Sequence, residues 1–297
     1  MENVFNKDFW VRQWAGDGDT DTHAVHKGFS TSEYWDKAAA TYNLDRSEIK
    51  NRRLEKTLLF IENKHRIVPG TTVLDIGCGT GLVSIALAKK GANVVALDFS
   101  SNMLDRVRQD IPAGLESRIS LLCEDWHRVD IDSLGWKNRF DIVLAYMSPG
   151  VATPDALFKM TACSKDVCAI RGWADKKAHP ILCRLWEIIM KTPLADKPQS
   201  FLYKINLLFS MGIFPDICFD RIDWEQDIGL EDELNNQVAF FKRVTGRPES
   251  DLEPVIRQYL ETIATDGRID RSHNGLTGTA IWKKDPAHDR GAVNGGG

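Results

Sequence analysis

The chain lacks a membrane span, a disulfide pattern and an excess of positive charge, and each absence narrows its function. No run approaches the ~20 consecutive apolar residues that cross a bilayer. Met1 to Trp14 mixes charges with aromatics and has no apolar core, so no signal peptide is expected. The six cysteines (78, 123, 163, 168, 183 and 218) show no C-x-x-C spacing and no histidine partners at zinc intervals. They read as reduced thiols of a cytoplasmic protein. A catalytic or metal-binding thiol is the alternative, and Cys78 is its best candidate. A formal net charge of −4 gives no general attraction to nucleic acid or to an anionic membrane. Asp17, Asp19 and Asp21 alternate as in a calcium loop. An EF-hand beginning at Asp17 would need glycine at 22 and glutamate at 28, where Thr22 and Gly28 stand. No metal site is expected, and no internal repeat is visible.

What is present centres on Val73-Leu74-Asp75-Ile76-Gly77-Cys78-Gly79-Thr80-Gly81. Thr72, Val73, Leu74 and Ile76 read as a short buried strand. Alternating glycines turn the chain, and Leu82 to Lys90 follows with helical apolar spacing. Strand, glycine turn and helix together make a nucleotide-binding geometry. Glycine admits a ligand close to the backbone, and the free N–H groups of the helix start offer donors. The dinucleotide pattern G-x-G-x-x-G would need glycine at 82, where Leu82 stands, which disfavours a nicotinamide enzyme on the same architecture.

The spacing Asp-x-Gly-x-Gly-x-Gly instead resembles motif I of the class I S-adenosylmethionine (SAM)-dependent methyltransferases of small-molecule type. The resemblance covers roughly residues 70–173 and implies a place for each downstream motif. Asp75 would lie near the methionine amino group, with Gly77, Cys78, Gly79 and Gly81 around the nucleoside. Asn93 to Asp98 reads as a second strand whose terminal carboxylate would take the ribose hydroxyls. Phe99-Ser100-Ser101-Asn102-Met103-Leu104 resembles the family's D-x-S-x-x-M-L segment. Met103 would sit near adenine, and Ser100 or Ser101 would cap the next helix. A third strand, 118–123, leads to Asp125, which would accept from the adenine amine, with Trp126 as apolar neighbour. A fourth strand, Phe140 to Tyr146, opens into Met147-Ser148-Pro149-Gly150, where relatives often hold substrate. Upstream, Trp35, Ala39 and Tyr42 fit a W-x-x-x-A-x-x-Y segment that folds over the methionine end in such enzymes. The same residues also read as an aromatic stripe docking a helix, and both readings stand.

Strand–helix alternation predicts an α/β fold: a Rossmann-like, seven-stranded, mostly parallel sheet with helices on both faces. An N-terminal helical segment and a helical insertion after the fifth strand complete it. The expected divisions are a helical cap at 1–66, the SAM-binding core at 67–173 and an insertion at 174–215. Residues 216–286 complete the sheet, and 287–297 form a disordered tail. Within the cap, Phe9, Trp10 and Trp14 fit a short amphipathic helix. A basic helix spans 46–66 with Arg46, Lys50, Arg52, Arg53, Lys56, Lys64 and Arg66. Thr153 caps a helix with Pro154 in its first turn, and a fifth strand covers 167–172. The insertion holds helices at 180–191 and 200–212, the second apolar almost all round, and it reads as a lid, as extra core or as a dimer contact. A sixth strand (217–224) precedes an acidic, exposed stretch from Asp223 to Glu233. Helices at 231–244 and 251–266 and a final antiparallel strand at 275–284 follow.

Methyl transfer from a sulfonium is an in-line displacement, so the protein must mainly hold the nucleophile in line and exclude water. No catalytic triad is required or visible. His23, His26, His127, His179 and Tyr146 are the titratable candidates for a base, and none is assigned as catalytic. The (N/D)-P-P-(Y/F) string of adenine- and amide-directed enzymes is replaced by Tyr146-Met147-Ser148-Pro149-Gly150. The expected activity is methylation of a small-molecule acceptor, giving S-adenosylhomocysteine, with no nucleic-acid or membrane partner. Two alternatives stay open: a protein or RNA acceptor docked on the basic helix, and a catalytically silent SAM-binding protein. Oligomeric state and the methylated atom stay open too.

Overall fold

The computed structural model describes residues 4–16, 32, 35, 36, 39, 42, 48–195, 200–224 and 226–284. The polar loop at 17–23, His23, His26 and the tail at 287–297 lie outside the described residues. The elements in chain order are α1 (Lys7–Ala15), α2 (Glu48–Glu62), β1 (Thr72–Ile76), α3 (Leu82–Lys89), β2 (Asn93–Asp98) and α4 (Ser101–Asp110). After these come β3 (Ile119–Cys123), β4 (Phe140–Tyr146), α5 (Pro154–Cys163), β5 (Ser164–Asp175), α6 (Pro180–Met190) and α7 (Ser200–Ser210). The chain finishes with β6 (Asp216–Trp224), β7 (Asp227–Gly229), α8 (Leu230–Thr245), α9 (Glu249–Ile263), β8 (Arg268–Asp270) and β9 (His273–Lys283).

Seven strands form one sheet in the order β3-β2-β1-β4-β5-β9-β6. The first five are mutually parallel, and β9 runs antiparallel between β5 and β6. This is the expected Rossmann-like α/β fold, with its final antiparallel strand. Strand order reverses between β1 and β4, so a crevice lies outside their carboxyl ends. Successive residues point to opposite faces: Val73 and Leu74 are both fully buried, one in each of two cores. Burial on both sides explains why these strands read as continuous apolar runs rather than as alternation. One face packs on α2 and α3 through Leu58, Ile61, Val83 and Leu87. The other packs on α5 and α7, with Trp10 and Trp14 of α1 along its edge.

The two helices of the 174–215 segment go to different cores. On α6, Ile181, Leu185 and Trp186 join Val238 and Phe241 of α8 and Ile256 and Leu260 of α9 in a third cluster. On α7, Phe201 drops into a trough made by Gly172 and Gly278, which face each other across β5 and β9. A Cβ on Gly278 would stand 2.2 Å from the Phe201 ring.

Several expected bounds shift. The fifth strand runs from Ser164 to Asp175 because it continues directly from α5 and pairs with β9 along most of its length. Arg118 ends a short 3-10 turn instead of opening β3. The two-stranded ribbon β7–β8 has no counterpart in the sequence reading. The acidic stretch is not uniformly exposed, which is a correction. Glu233 is fully buried on the inner stripe of α8, where it accepts from Gln237 Nε2 at 2.7 Å and pairs with Arg271. Among the described residues no helix is long and apolar enough to cross a membrane.

The Gly278–Phe201 contact is directly testable by urea unfolding. Phe201→Ala should cost about 3–5 kcal/mol, and Gly278→Ala about 1–3 kcal/mol by overpacking. Because the clash needs the ring, Gly278→Ala should cost markedly less in the Phe201→Ala background.

Candidate functional site

The glycine turn at the carboxyl end of β1 takes positive φ at Gly77, Gly79 and Gly81. At Gly77 a Cβ would fall 2.0 Å from Ser148 Oγ, so only glycine lets the turn meet the loop after β4. At Gly79 a Cβ would meet only the Tyr42 ring, at an ordinary contact distance of 3.9 Å.

Three carboxylates stand at the ends of successive strands. Asp75 on β1 is buried; its Oδ2 accepts from Ser84 Oγ at 2.6 Å, while Oδ1 has no partner among the described residues. Burial pushes its pKa up from 3.8 to about 7, and the Asp98 charge adds to that. Asp98, ending β2, accepts from Gly79 N–H at 2.8 Å through Oδ2 and from Ser100 N–H at 2.9 Å through Oδ1. Burial raises its pKa, and these backbone donors work against that. Asp125, beyond β3, is half-exposed and accepts from His127 N–H at 2.9 Å. Glu124 N–H bonds Asp98 O at 3.0 Å, tying the ends of β2 and β3 together.

Around Asp98 a second set of contacts gathers. Ser100, rather than Ser101, caps α4: its Oγ accepts from Met103 N–H and donates to Asp36 Oδ1 at 2.5 Å. Asn102 Nδ2 donates to Asp36 O, and Arg106 donates to Ala39 O at 2.8 Å. Trp35 and Tyr42 meet edge to face at 5.5 Å. The described residues of the 35–42 segment therefore lie across the start of α4 and beside the glycine turn.

The other predicted residues fall into two groups. Tyr146, half-buried at the end of β4, has the Arg171 guanidinium 5.6 Å from its ring. Met147 after it is held at φ 54°, with its N–H bonded to Arg171 O at 2.8 Å. Phe99 is half-buried beside Asp98. Met103 and Trp126, by contrast, are core side chains. Trp126 is 2% exposed, donates its indole N–H to Ala156 O at 3.3 Å and carries Lys159 Nζ 4.6 Å from its ring. The Cys78 thiol is pushed well above its usual range by burial and the nearby Asp75 and Asp98, which leaves it protonated and unreactive. Among the described residues no three His, Cys, Asp or Glu side chains gather as a metal site. His127 is exposed, and His179 lies elsewhere, at the start of α6.

The sequence reading named Ser148 only as part of the loop after β4, and missed Ser84 and Asp36. Ser84 is the lone polar residue of an apolar helix start, a signal that was available. Asp36 and Ser148 matter through tertiary contacts, and nothing local marks them.

A glycine turn at the switch point with carboxylates at the ends of β1, β2 and β3 defines a Rossmann-like nucleoside-binding domain. A family model described as a methyltransferase domain matches residues 73–172. Over that stretch, about a third of the chain, the sequence is similar to this methyltransferase family. The chain is 32% identical over 82 residues to the magnesium-protoporphyrin O-methyltransferase of Rhodobacter capsulatus, covering 28% of this chain and 37% of the relative. It is 53% identical over 81 residues to the cypemycin N-terminal methyltransferase of a Streptomyces species, covering 27% and 30%. It is 34% identical over 120 residues to the ubiquinone biosynthesis O-methyltransferase of Hahella chejuensis, covering 40% and 45%. The matches thus span less than half the length of these relatives. The solved magnesium protoporphyrin IX methyltransferase of Synechocystis PCC 6803, with S-adenosylhomocysteine bound, is similar at TM-score 0.49 and 12% identity, covering 90% of this chain and 100% of that one.

Asp75 makes a pH prediction. Its folded pKa is raised to about 7, so the unfolded carboxyl ionises first as pH climbs above 3.8. The wild type should therefore lose stability between about pH 4 and 7. Asp75→Asn should lack that loss, so melting temperatures measured across this range should shift in the variant's favour as pH rises.

Proposed function

We propose that the protein transfers a methyl group from SAM to a small-molecule acceptor. The observation that carries this is the Asp98 carboxylate at the end of β2, fixed by two backbone N–H groups beside the glycine turn. The residues fit the cofactor chemically. Asp75 Oδ1 is a buried acceptor with no partner among the described residues and suits the methionine ammonium. Asp98 suits the ribose diol and Asp125 the adenine amine, while Gly79 leaves room for the nucleoside under Tyr42. Gly77, Gly81, Phe99 and Ser100 shape the turn and the α4 start. Trp126 and Met103 support from the core rather than by contact.

When bound, the cofactor supplies an electrophilic methyl on a sulfonium. The chain's own work is to orient and to exclude water. Tyr42 lies beside the turn, and the strained Met147 fixes the loop from Tyr146 to Gly150 that faces it. We place the protein in the cytoplasm on its six free cysteines. We read the α6 side of the 174–215 segment as a wall on the acceptor side.

A small acceptor is favoured over RNA or protein because Arg53 and Lys56 of α2 and Lys64 just after it already have partners. Lys56 binds Asp220 at 2.6 Å, Lys64 binds Asp216 at 2.7 Å, and the Arg53 guanidinium reaches Arg221 O. The names of the magnesium-protoporphyrin and ubiquinone-biosynthesis relatives point the same way.

Calorimetry with S-adenosylhomocysteine, beside NADH, tests the cofactor. Micromolar binding of the homocysteine compound should weaken at least roughly tenfold in Asp98→Ala, the loss of a charge-assisted contact. Binding of NADH alone would overturn the reading. Charge reversal at Arg52 and Arg53 separates the acceptor classes. Turnover measured by methyl mass gain in metabolite extracts should change less than about threefold, since exposed charges contribute little.

A further inference from the structure

The sheet ends on β6, and the outer edge of that strand is unpaired. Beyond the ladder with β9, the backbone of β6 meets two side chains. Thr277 Oγ donates to Asp220 O at 3.1 Å, and Arg53 Nη2 reaches Arg221 O at 3.5 Å, the limit of a hydrogen bond. Among the described residues no other hydrogen bond to the backbone of this strand is made. An antiparallel strand bonds its neighbour through every second residue. A nine-residue strand at the edge therefore presents a row of N–H and C=O groups to the outside, which is a template for another strand.

The two faces of β6 are covered differently. Asp216 and Asp220 point to the α2 side, where Lys64 and Lys56 bind them at 2.7 and 2.6 Å. Alternation puts Ile217, Phe219, Arg221 and Asp223 on the opposite face. There Ile217 packs into the core shared with α5 and α7, and the Phe219 ring stands 6.2 Å from that of Phe201. Further along, this face is bare. Phe219 is 50% exposed, and Phe214, just before the strand, is 76% exposed and stands 5.9 Å from Phe209. Arg221 and Asp223 are exposed, and neither side chain has a partner among the described residues.

The sign and spacing of those two charges decide the occupant. Antiparallel pairing of β6 with itself, about a two-fold axis at Ile222, sets Arg221 of each copy opposite Asp223 of the other. An axis at Arg221 or at Asp223 would set like charges face to face. An axis at Asp220 would leave the two charges opposite Phe219 and Ile217. A strand from another protein would have to bring the complementary pattern, whereas a second copy of this chain carries it already. We propose that two copies of this chain join their sheets edge to edge through β6, with the Arg221–Asp223 ion pair formed twice. Phe219 lies at the margin of that contact and loses exposure on pairing. In the strand order β4 stands three strands in from β6, so the glycine turn at the switch point stays open in the pair.

Sedimentation velocity on the full chain, at up to about 100 μM, should show a species of twice the mass of one chain. Arg221→Asp or Asp223→Arg alone puts like charges opposite each other twice and should weaken that dimer at least about tenfold. The double exchange Arg221→Asp with Asp223→Arg restores both pairs and should return the affinity to within about threefold of wild type. Unchanged circular dichroism confirms that the variants fold. If a reversal disturbs folding, the neutral Arg221→Gln should still weaken the dimer, by roughly threefold. A monomer at the highest concentration overturns the proposal and leaves the edge to a strand of another protein. A dimer that neither single reversal weakens, or a weakened dimer that the double exchange does not restore, overturns it as well.

Discussion

The carboxylate of Asp98 takes one backbone N–H from the glycine turn and one from the start of α4, and the candidate site is assembled around that pair of bonds. Of the two donors, Ser100 N–H is buried and would otherwise lack this partner. One side chain thus fixes the turn after β1, the end of β2 and the first turn of α4. Ser100 extends the arrangement by donating a hydroxyl hydrogen bond to Asp36. The described part of the 35–42 segment is thereby tied to the same corner, and Tyr42 comes to rest beside Gly79. A buried carboxylate held this way is costly to ionise, and the backbone donors offset much of that cost.

Beyond this corner the sheet divides its work between its two ends. The β3-β2-β1-β4 end carries the turn and the three strand-terminal carboxylates. The β5-β9-β6 end carries packing and charge of a different kind. There Phe201 fills the trough at Gly172 and Gly278, and Arg171 is enclosed by Asp220, Thr277 and Thr279 at 3.0, 2.8 and 2.7 Å. Lys56 reaches the same Asp220 from α2, so a helix that reads as a basic surface is bound to the edge strand. The third core, built from α6, α8 and α9, stands next to this end, and Glu233 and Arg271 meet where it adjoins the sheet.

How much of this was legible follows from the range of the interactions involved. Strands β1, β2 and β4 were placed at their observed bounds because runs such as Val73-Leu74 and Val94-Val95 are apolar on both faces. Thr153 and Pro154 marked the start of α5 because capping chemistry acts within one turn. The acidic stretch was misread at Glu233 because its composition suggested solvent, whereas helical phase turned this residue inward with Gln237 and Phe241. Trp126 was placed beside the adenine by motif position, while its side chain points into the core toward Ala156. The β7–β8 ribbon was missed because three-residue strands carry too few side chains to show a period.

The sequence by itself determined the doubly wound sheet, the glycine turn and the order of Asp75, Asp98 and Asp125, because these are written in short-range periodicity and fixed spacing. Tertiary structure alone decided which charges would be shared. Lys56 with Asp220 and Glu233 with Arg271 are pairings between residues far apart in the chain. No local pattern encodes such meetings. They exist because the packing of apolar faces brings those elements together, and the charges must then find partners where the fold has left them.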